Sequence, residues 1–211
     1  MAKLLCTLGG GVLVAAEAFD FPGVAFDEVH CFTSDSSFVQ TEVLHQFFAQ
    51  YPDVKFSLTR LVGFENLNDE REHSHFQEGL WRWYLSHLDP EDLPYICVAG
   101  GFKSMSTALQ KAAQLFGAAQ VFHVLCDTNP QTLEELDKAR KENRIRFVNL
   151  GPEAGWEHLQ NLREAYRFSP SEDFVEGDQK LQIEGKHSFS ASMRMGFCLV
   201  GCGVSFGSRV L

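Results

Sequence analysis

Residues 95–106 read Tyr95-Ile96-Cys97-Val98-Ala99-Gly100-Gly101-Phe102-Lys103-Ser104-Met105-Ser106, a short apolar run followed by two glycines, a lysine and two hydroxyls. A continuous apolar run of this length is typical of a strand at the centre of a parallel sheet. The residues from Ser104 to Gly117 have helical spacing and end at a glycine, which predicts a helix. A strand that passes through glycine into a helix directs backbone N–H groups and the positive end of the helix dipole at an anion.

A second glycine-rich turn lies near the start of the chain. Lys3–Leu8 is predicted to be a strand, Gly9-Gly10-Gly11 the turn, and Val12–Phe19 the start of a helix. Neither turn has the spacing of a dinucleotide fingerprint or of a Walker loop. Two such turns at the same edge of one sheet favour a ligand with several phosphates over a purely structural role.

Strand and helix patterns alternate along the first 150 residues. The remaining predicted elements are strands over Glu28–Thr33, Val54–Leu61, Gln120–Leu125 and Ile145–Leu150 and helices over Ser37–Tyr51, Asn68–Leu88 and Thr132–Glu142. This order predicts an α/β fold with a doubly wound, mainly parallel sheet, which binds ligands at the carboxyl ends of its strands. We expect one such domain over residues 1–150 and a small C-terminal extension over 151–211, whose fold the pattern does not define.

Composition narrows the classes of function. The 211 residues carry a formal net charge of -10, which argues against binding to long nucleic acids. No apolar run is long enough for a membrane span, and the N-terminus lacks the features of a signal peptide, so a cytoplasmic location is expected. The cysteines lie mostly in apolar runs without a metal-binding spacing, which favours buried, reduced thiols; they are Cys6, Cys31, Cys97, Cys126, Cys198 and Cys202.

Several side chains near the glycine turns have both a functional and a structural interpretation. Lys103 can neutralise a phosphate or a developing oxyanion, or it can simply face solvent; a cation at a helix N-terminus opposes the dipole, which favours the first role. Ser104 and Ser106 can contact a phosphate or cap the helix. Asp127 ends a predicted strand, where it can meet a ribose or form an ordinary turn.

Three segments resemble the CRISPR-associated Rossmann fold (CARF) family, and most of all its stand-alone ring nucleases, which bind and degrade cyclic oligoadenylates. They are Thr7-Leu8-Gly9, Glu17-Ala18-Phe19 and the Gly100–Ser106 segment, and the resemblance extends over residues 3–150. It implies a Rossmann-like fold and a symmetric homodimer that binds the ring, with cyclic tetra-adenylate favoured, across its two-fold axis. It also implies cleavage that needs no metal or other cofactor.

The resemblance further implies which residues form the site. The ligand-binding positions would be Thr7, Leu8, Gly9, Gly10, Gly11, Gly100, Gly101, Phe102, Lys103, Ser104, Met105 and Asp127. Lys103 and Gly11 would be the catalytic positions, with a ribose 2′-OH attacking the adjacent phosphorus and Lys103 stabilising the charge that develops there.

One departure from the family keeps other functions open. The family often has Thr or Ser where this chain has Gly10 and Gly11, and the resemblance implies that such a hydroxyl gives a hydrogen bond that orients the reacting ribose. A non-catalytic cyclic oligoadenylate sensor or sponge is therefore the alternative to a ring nuclease. An α/β enzyme that acts on another phosphorylated metabolite is the third hypothesis.

Overall fold

The computed structural model describes residues 1–38, 41–61, 69–88, 91–155 and 180–181. Within these ranges the elements in chain order are β1 Lys3–Thr7, α1 Val14–Phe19, β2 Glu28–Ser34, α2 Asp35–Phe38, α3 Glu42–Phe48, β3 Lys55–Leu61, α4 Glu70–His87, β4 Tyr95–Cys97, α5 Lys103–Phe116, β5 Ala118–Cys126, α6 Leu133–Lys141, β6 Ile145–Glu153 and β7 Lys180–Leu181. None of the helices in these ranges is long and apolar enough to cross a bilayer.

The strands form one sheet in the order β6-β5-β4-β1-β2-β3-β7. All neighbouring pairs are parallel except β5 and β6, which are antiparallel. From β1 the chain moves outward through β2 to β3, then returns to the other side of β1 to form β4 and β5. The order therefore reverses between β1 and β4, where Leu4 pairs with Tyr95 and Cys6 with Cys97. In open α/β sheets, ligands bind outside the carboxyl ends of the strands at this switch point.

Helices cover both faces of the sheet. Side chains of α4 and α5 pack with Leu5 and Ile96 on one face, and side chains of α1, α3 and α6 pack with Leu4 and Cys6 on the other. Successive residues of β1 thus enter opposite cores, as the period-2 geometry of a strand requires. The predicted doubly wound, mainly parallel α/β fold is confirmed.

Several predicted elements differ from the structure in their bounds, and the differences in one helix and in the last predicted strand change the architecture most. The single helix predicted over Ser37–Tyr51 is wrong, because α2 ends at Phe38 and α3 begins at Glu42. The Oγ1 of Thr41 donates a hydrogen bond to the Phe38 carbonyl at 2.8 Å, which competes with helical hydrogen bonding at that point. The last predicted strand is longer than expected, because β6 continues to Glu153.

The boundary at residue 150 therefore falls within β6, and the division into two regions stays a prediction. Most of the predicted extension, residues 156–179 and 182–211, lies outside the described residues.

The thiols of Cys6, Cys31 and Cys97 lie side by side on three neighbouring strands and are free and buried. Burial raises the pKa of the Cys6 and Cys97 thiols well above the ordinary value, so both stay protonated. Cys126 is also free and is half-buried. The predicted burial is confirmed for Cys6, Cys31 and Cys97, whereas Cys126 is only half-buried and Cys198 and Cys202 lie outside the described residues.

Candidate functional site

The two glycine turns follow β1 and β4 and are in direct backbone contact at the switch point. A Cβ atom built on Gly9 would lie 2.8 Å from the Cα of Gly101, and one built on Gly100 would lie 1.9 Å from the carbonyl oxygen of Thr7. Real Cβ atoms do not approach other atoms this closely, so the contact requires glycine at Gly9 and Gly100. Gly101 has a φ of +80°, a backbone conformation that also favours glycine.

Two hydroxyl groups hold the second turn against the first. The Oγ1 of Thr7 donates a hydrogen bond to the Gly100 carbonyl at 2.6 Å, and the Oγ of Ser106 donates to the same oxygen, also at 2.6 Å. Thr7 is fully buried. The two side chains thus connect the end of β1 to the first turn of α5. Both hydroxyl groups donate to a carbonyl of the protein rather than to a ligand.

The backbone around these turns offers hydrogen-bond donors. No hydrogen bond joins the backbone N–H groups of Gly10, Gly11, Lys103 or Ser104 to a backbone carbonyl of the described residues. The N-cap of α5 is Phe102, which has no side-chain oxygen to occupy these donors. The first turn of a helix with free N–H groups carries a partial positive charge, so this end of α5 favours an anion.

The remaining predicted residues of the two turns divide into exposed and buried side chains. Lys103 is exposed, and its ammonium group forms no ion pair with the residues described. Gly10 is exposed, and no atom lies within 4 Å of a Cβ built on it. Leu8 and Met105, by contrast, pack their side chains in the cores on opposite faces of the sheet. Any contact that these two residues make with a ligand would therefore come from their backbone atoms.

Phe102 and Ser104 are intermediate cases at the start of α5. The ring of Phe102 packs against the α4–α5 core, while its backbone N–H donates to the Sδ of Met105 at 3.4 Å. Ser104 is half-buried, and no hydrogen bond joins its hydroxyl to the described residues. Of the two serines, Ser106 therefore has a structural hydrogen bond, whereas the Ser104 hydroxyl has none within the described residues.

Asp127 follows β5 at the same edge of the sheet. Its Oδ1 lies 2.8 Å from the Nη2 of Arg146 on β6, and both side chains are more than 60% exposed. An ion pair this exposed contributes little to stability. The structure thus brings Asp127 to the edge where the glycine turns lie, but next to a cation that balances its charge.

A third loop meets the first glycine turn through Asn129. A Cβ atom built on Gly11 would lie 3.2 Å from the Oδ1 of Asn129, and Asn129 itself has a φ of 42°. Asparagine adopts this left-handed conformation more readily than other residues with a side chain. The sequence carried a signal for this contact, since Asp127-Thr128-Asn129 follows a predicted strand, but nothing local distinguished Asn129 from an ordinary turn residue.

One acidic residue on α1, the helix that follows the first turn, has a raised pKa. Glu17 on α1 is 4% exposed, and its burial raises the pKa of the carboxyl group from 4.5 to about 7. The nearby Asp20 raises this pKa further, whereas a hydrogen bond from the Cys126 thiol lowers it. The negative charge near the turn is therefore smaller than the sequence implies.

Among the described residues, no cluster of three or more His, Cys, Asp or Glu side chains is arranged to hold a metal ion. At the switch point the described residues offer backbone donors, the α5 dipole, the Lys103 ammonium group and the Ser104 hydroxyl.

Residues 87–161 match the family model of CRISPR-associated protein NE0113. The matched segment includes β4, the second glycine turn, α5, Asp127 and Asn129. This part of the chain is therefore similar to a CRISPR-associated family. No curated protein matches the chain.

Two solved structures resemble the model at low sequence identity. Can2 from Sulfobacillus thermosulfidooxidans in complex with cyclic tetra-adenylate aligns with a TM-score of 0.41 and 10% identity, over 58% of this chain and 32% of Can2. Enterococcus italicus Csm6 bound to cyclic hexa-2′-fluoro-hexa-dAMP aligns with a TM-score of 0.48 and 13% identity, over 78% of this chain and 44% of Csm6. This chain thus spans less than half the length of either protein.

Proposed function

We propose that this protein binds a cyclic oligoadenylate, with cyclic tetra-adenylate favoured, across the two-fold axis of a homodimer and cleaves it without a metal. The observation that carries the proposal is the backbone contact between the two glycine turns at the switch point. Beside it lie N–H groups of α5 and the Lys103 ammonium group, which have no partner among the described residues. These groups offer an anion both hydrogen bonds and positive potential, although the whole chain has a net charge of -10.

The class of ligand is supported by two further observations. The glycine turns have the residues of the CARF resemblance, and the segment that carries the second turn matches a CRISPR-associated family. A cyclic oligoadenylate has several phosphodiesters in a symmetric ring, and one copy of the site supplies donors to only part of such a ring. Two copies related by a two-fold axis would supply equivalent donors to opposite parts, so the proposal includes a homodimer.

The proposed reaction is an internal transesterification. The oxygen of a ribose 2′-OH bonds to the adjacent phosphorus, and the bond from that phosphorus to the 5′-oxygen of the next nucleotide breaks. The 2′-OH proton is lost to water, and the departing 5′-oxygen takes up a proton to become a free 5′-OH. The other product end is a 2′,3′-cyclic phosphate.

In this proposal the protein contributes orientation and charge. The turn of Gly9, Gly10 and Gly11 would hold the reacting nucleotide so that the 2′-oxygen lies in line with the bond that breaks. Lys103 and the N-terminus of α5 would stabilise the negative charge that develops on the phosphoryl oxygens. Ser104 would donate its free hydroxyl to a phosphate or ribose oxygen.

A non-catalytic sensor or sponge is the second candidate. The observation that favours it is the absence of a hydroxyl at Gly10 and Gly11, where the resembling family often has Thr or Ser. Such a protein would retain the donors that bind the ring but lack a group that orients the ribose.

The experiment that tests the proposal is incubation of the purified protein with labelled cyclic tetra-adenylate in EDTA, with a binding titration in parallel. Linear products that end in a 2′,3′-cyclic phosphate would support the ring nuclease. Tight binding without products would support the sensor. If neither cyclic tetra-adenylate nor the hexa-adenylate ring binds, the proposal is wrong, and an enzyme for another phosphorylated metabolite becomes the better hypothesis.

A further inference from the structure

We propose that the cavity between the β5–α6 loop and the start of β6 is a nucleobase subsite, in which Asn129 recognises adenine. This inference rests on the proposed function. The cavity has a volume of about 370 Å³ and is lined by residues of the loop, of α6 and of the turn before β6. This volume lies within the range of small-molecule sites and is sufficient for a purine base.

Asn129 connects this cavity to the first glycine turn. It lines the cavity, and its Oδ1 lies 3.2 Å from the position that a Cβ of Gly11 would occupy. A nucleotide whose phosphate meets the glycine turns therefore has a neighbouring cavity for its base. The same loop follows β5, next in the sheet to β4, so both parts of the proposed site lie at the carboxyl edge of the sheet.

The amide group of Asn129 is available for recognition. Asn129 is exposed, and its side chain forms no hydrogen bond with the described residues. Its backbone is held in place, because the Nε2 of Gln131 donates to the Asn129 carbonyl at 3.0 Å. A side-chain amide can donate to N7 and accept from the N6 amino group of adenine, a pairing that other bases do not match.

The charges that line the cavity balance, which favours a neutral base over a phosphate. Arg144 forms an ion pair with Glu142, with 2.6 Å between Nε and Oε2. Lys138 and Glu135 also line the cavity and have opposite charges. The Oε2 of Glu135 accepts a hydrogen bond from the backbone N–H of Gln131 at 2.7 Å. By contrast, the N-terminus of α5 and Lys103 have unbalanced positive charge and suit the phosphates.

Binding titrations with two rings test this assignment. Cyclic tetra-adenylate and cyclic tetra-inosinate differ at position 6 of the base, where inosine has an acceptor oxygen instead of a donor amine. We expect the wild-type protein to prefer the adenylate ring, and we expect Asn129→Gly to bind that ring about tenfold more weakly or worse and to lose the preference. Glycine tolerates the positive φ of residue 129, so the backbone is kept.

Two further variants keep the test decisive. Asn143→Gly is the matched control, because Asn143 also has a positive φ, of 53°, but does not line the cavity. The Asn143→Gly variant should bind both rings with the affinities of the wild type. Asn129→Asp keeps the shape of the side chain and the acceptor oxygen that meets position 6, and it removes the donor to N7. It should therefore bind both rings more weakly while keeping the preference for adenylate, a result that does not depend on whether Asn129→Gly folds.

The possible failures are distinguishable. If the wild type binds the adenylate ring and both Asn129 variants keep its affinity and preference, the nucleobase assignment is wrong and the proposed function stands. If the wild type binds neither these two rings nor the hexa-adenylate ring, the proposed function is wrong, and this assignment is wrong with it.

Discussion

Lys103 is the side chain on which the proposed site depends most. It is exposed at the first position of α5, where a cation opposes the helix dipole, and no described residue neutralises it. The lysine and the positive end of the helix dipole repel each other when no anion is present. A bound phosphate would attract both of them. Lys103 therefore contributes to binding rather than to folding in our proposal.

The first prediction follows from this position. Lys103→Ala should weaken the binding of cyclic tetra-adenylate about tenfold or more, as expected for a lost charge-assisted contact of 1.5–3 kcal/mol, and should change the free energy of unfolding by less than about 0.5 kcal/mol. Calorimetric titration and urea unfolding measure the two quantities. Lys111→Ala is the matched control, because Lys111 is exposed on the same helix but lies two turns from the site. Equal affinities for both variants would contradict the role of Lys103.

Gly10 is a position where the missing hydroxyl can be restored. No atom lies within 4 Å of a Cβ built there, and its φ lies outside the positive range, so a serine fits. We predict that Gly10→Ser raises the rate of ring cleavage about tenfold or more, because it adds a donor near the reacting ribose. Product formation under single-turnover conditions measures the rate.

Gly11→Ser is the comparison for this prediction. A Cβ at Gly11 would lie 3.2 Å from both the Asn129 Oδ1 and the Val14 Cγ2, so this variant must displace its neighbours. We expect it to be slower than Gly10→Ser. A cleavage rate for Gly10→Ser no higher than that of the wild type would show that the hydroxyl is not what limits the reaction.

At the scale of elements, β1 and α5 are joined through a single carbonyl group. The Gly100 oxygen accepts hydrogen bonds from both Thr7 and Ser106, each at 2.6 Å. Thr7→Val or Ser106→Ala alone leaves this oxygen one partner and should cost about 1 kcal/mol or less. The double variant leaves it without either hydroxyl and should cost more than the sum of the two single changes.

Urea unfolding of the wild type, the two single variants and the double variant measures the coupling between Thr7 and Ser106. Additive losses would indicate that water or another group replaces the missing donors. A coupling beyond additivity would support the view that one shared acceptor aligns the two glycine turns.

The packing of α1 on β5 makes stability depend on pH. Glu17 is 4% exposed, and burial raises its pKa from 4.5 to about 7. Between these values the folded protein keeps a proton that the unfolded chain has released, so the contribution of Glu17 to the free energy of unfolding falls as pH rises through this window. Above about pH 7 the carboxyl group is ionised in both the folded and the unfolded state, and this contribution to the free energy of unfolding is lost.

Glu17→Gln should remove this dependence, because glutamine resembles the protonated carboxyl group. We predict little change in the free energy of unfolding at pH 5 and a gain of about 1–3 kcal/mol at pH 8. Urea unfolding at the two pH values measures the gain. Glu134→Gln, at an exposed site in the first turn of α6, is the control and should show no such difference. An equal effect of Glu17→Gln at both pH values would contradict the titration.

At the scale of the whole molecule, the proposed site predicts how many rings bind to each chain. If the ring lies on a two-fold axis, one ring binds two chains, since each chain offers one pair of glycine turns. Calorimetry should give about one ring per two chains, and sedimentation should show a dimer when the ring is present. A complex of one ring with one monomeric chain would contradict the symmetric site.

Much of the architecture was predictable because its signals are local. The apolar run at Tyr95–Ala99 predicted a central strand, and β4 lies between β1 and β5. The glycine that ends α5 was also predictable, and Gly117 has the positive φ of +94° that this position requires. The division between α2 and α3 was missed because the apolar spacing continues across it, whereas in the structure the Thr41 hydroxyl donates to the Phe38 carbonyl at the end of α2.

The sequence by itself determined the alternation of strands and helices, the buried thiols and the position of both glycine turns. Hydrophobic periodicity and glycine placement act over a few residues, so they can be read without knowing what lies nearby in space. Only the tertiary structure decided that the two turns touch, that Thr7 and Ser106 share the Gly100 carbonyl, and that Asn129 lies against Gly11. The contact between Thr7 and Gly100 joins residues 93 positions apart, and the order of strands that brings them together depends on how whole elements pack against one another.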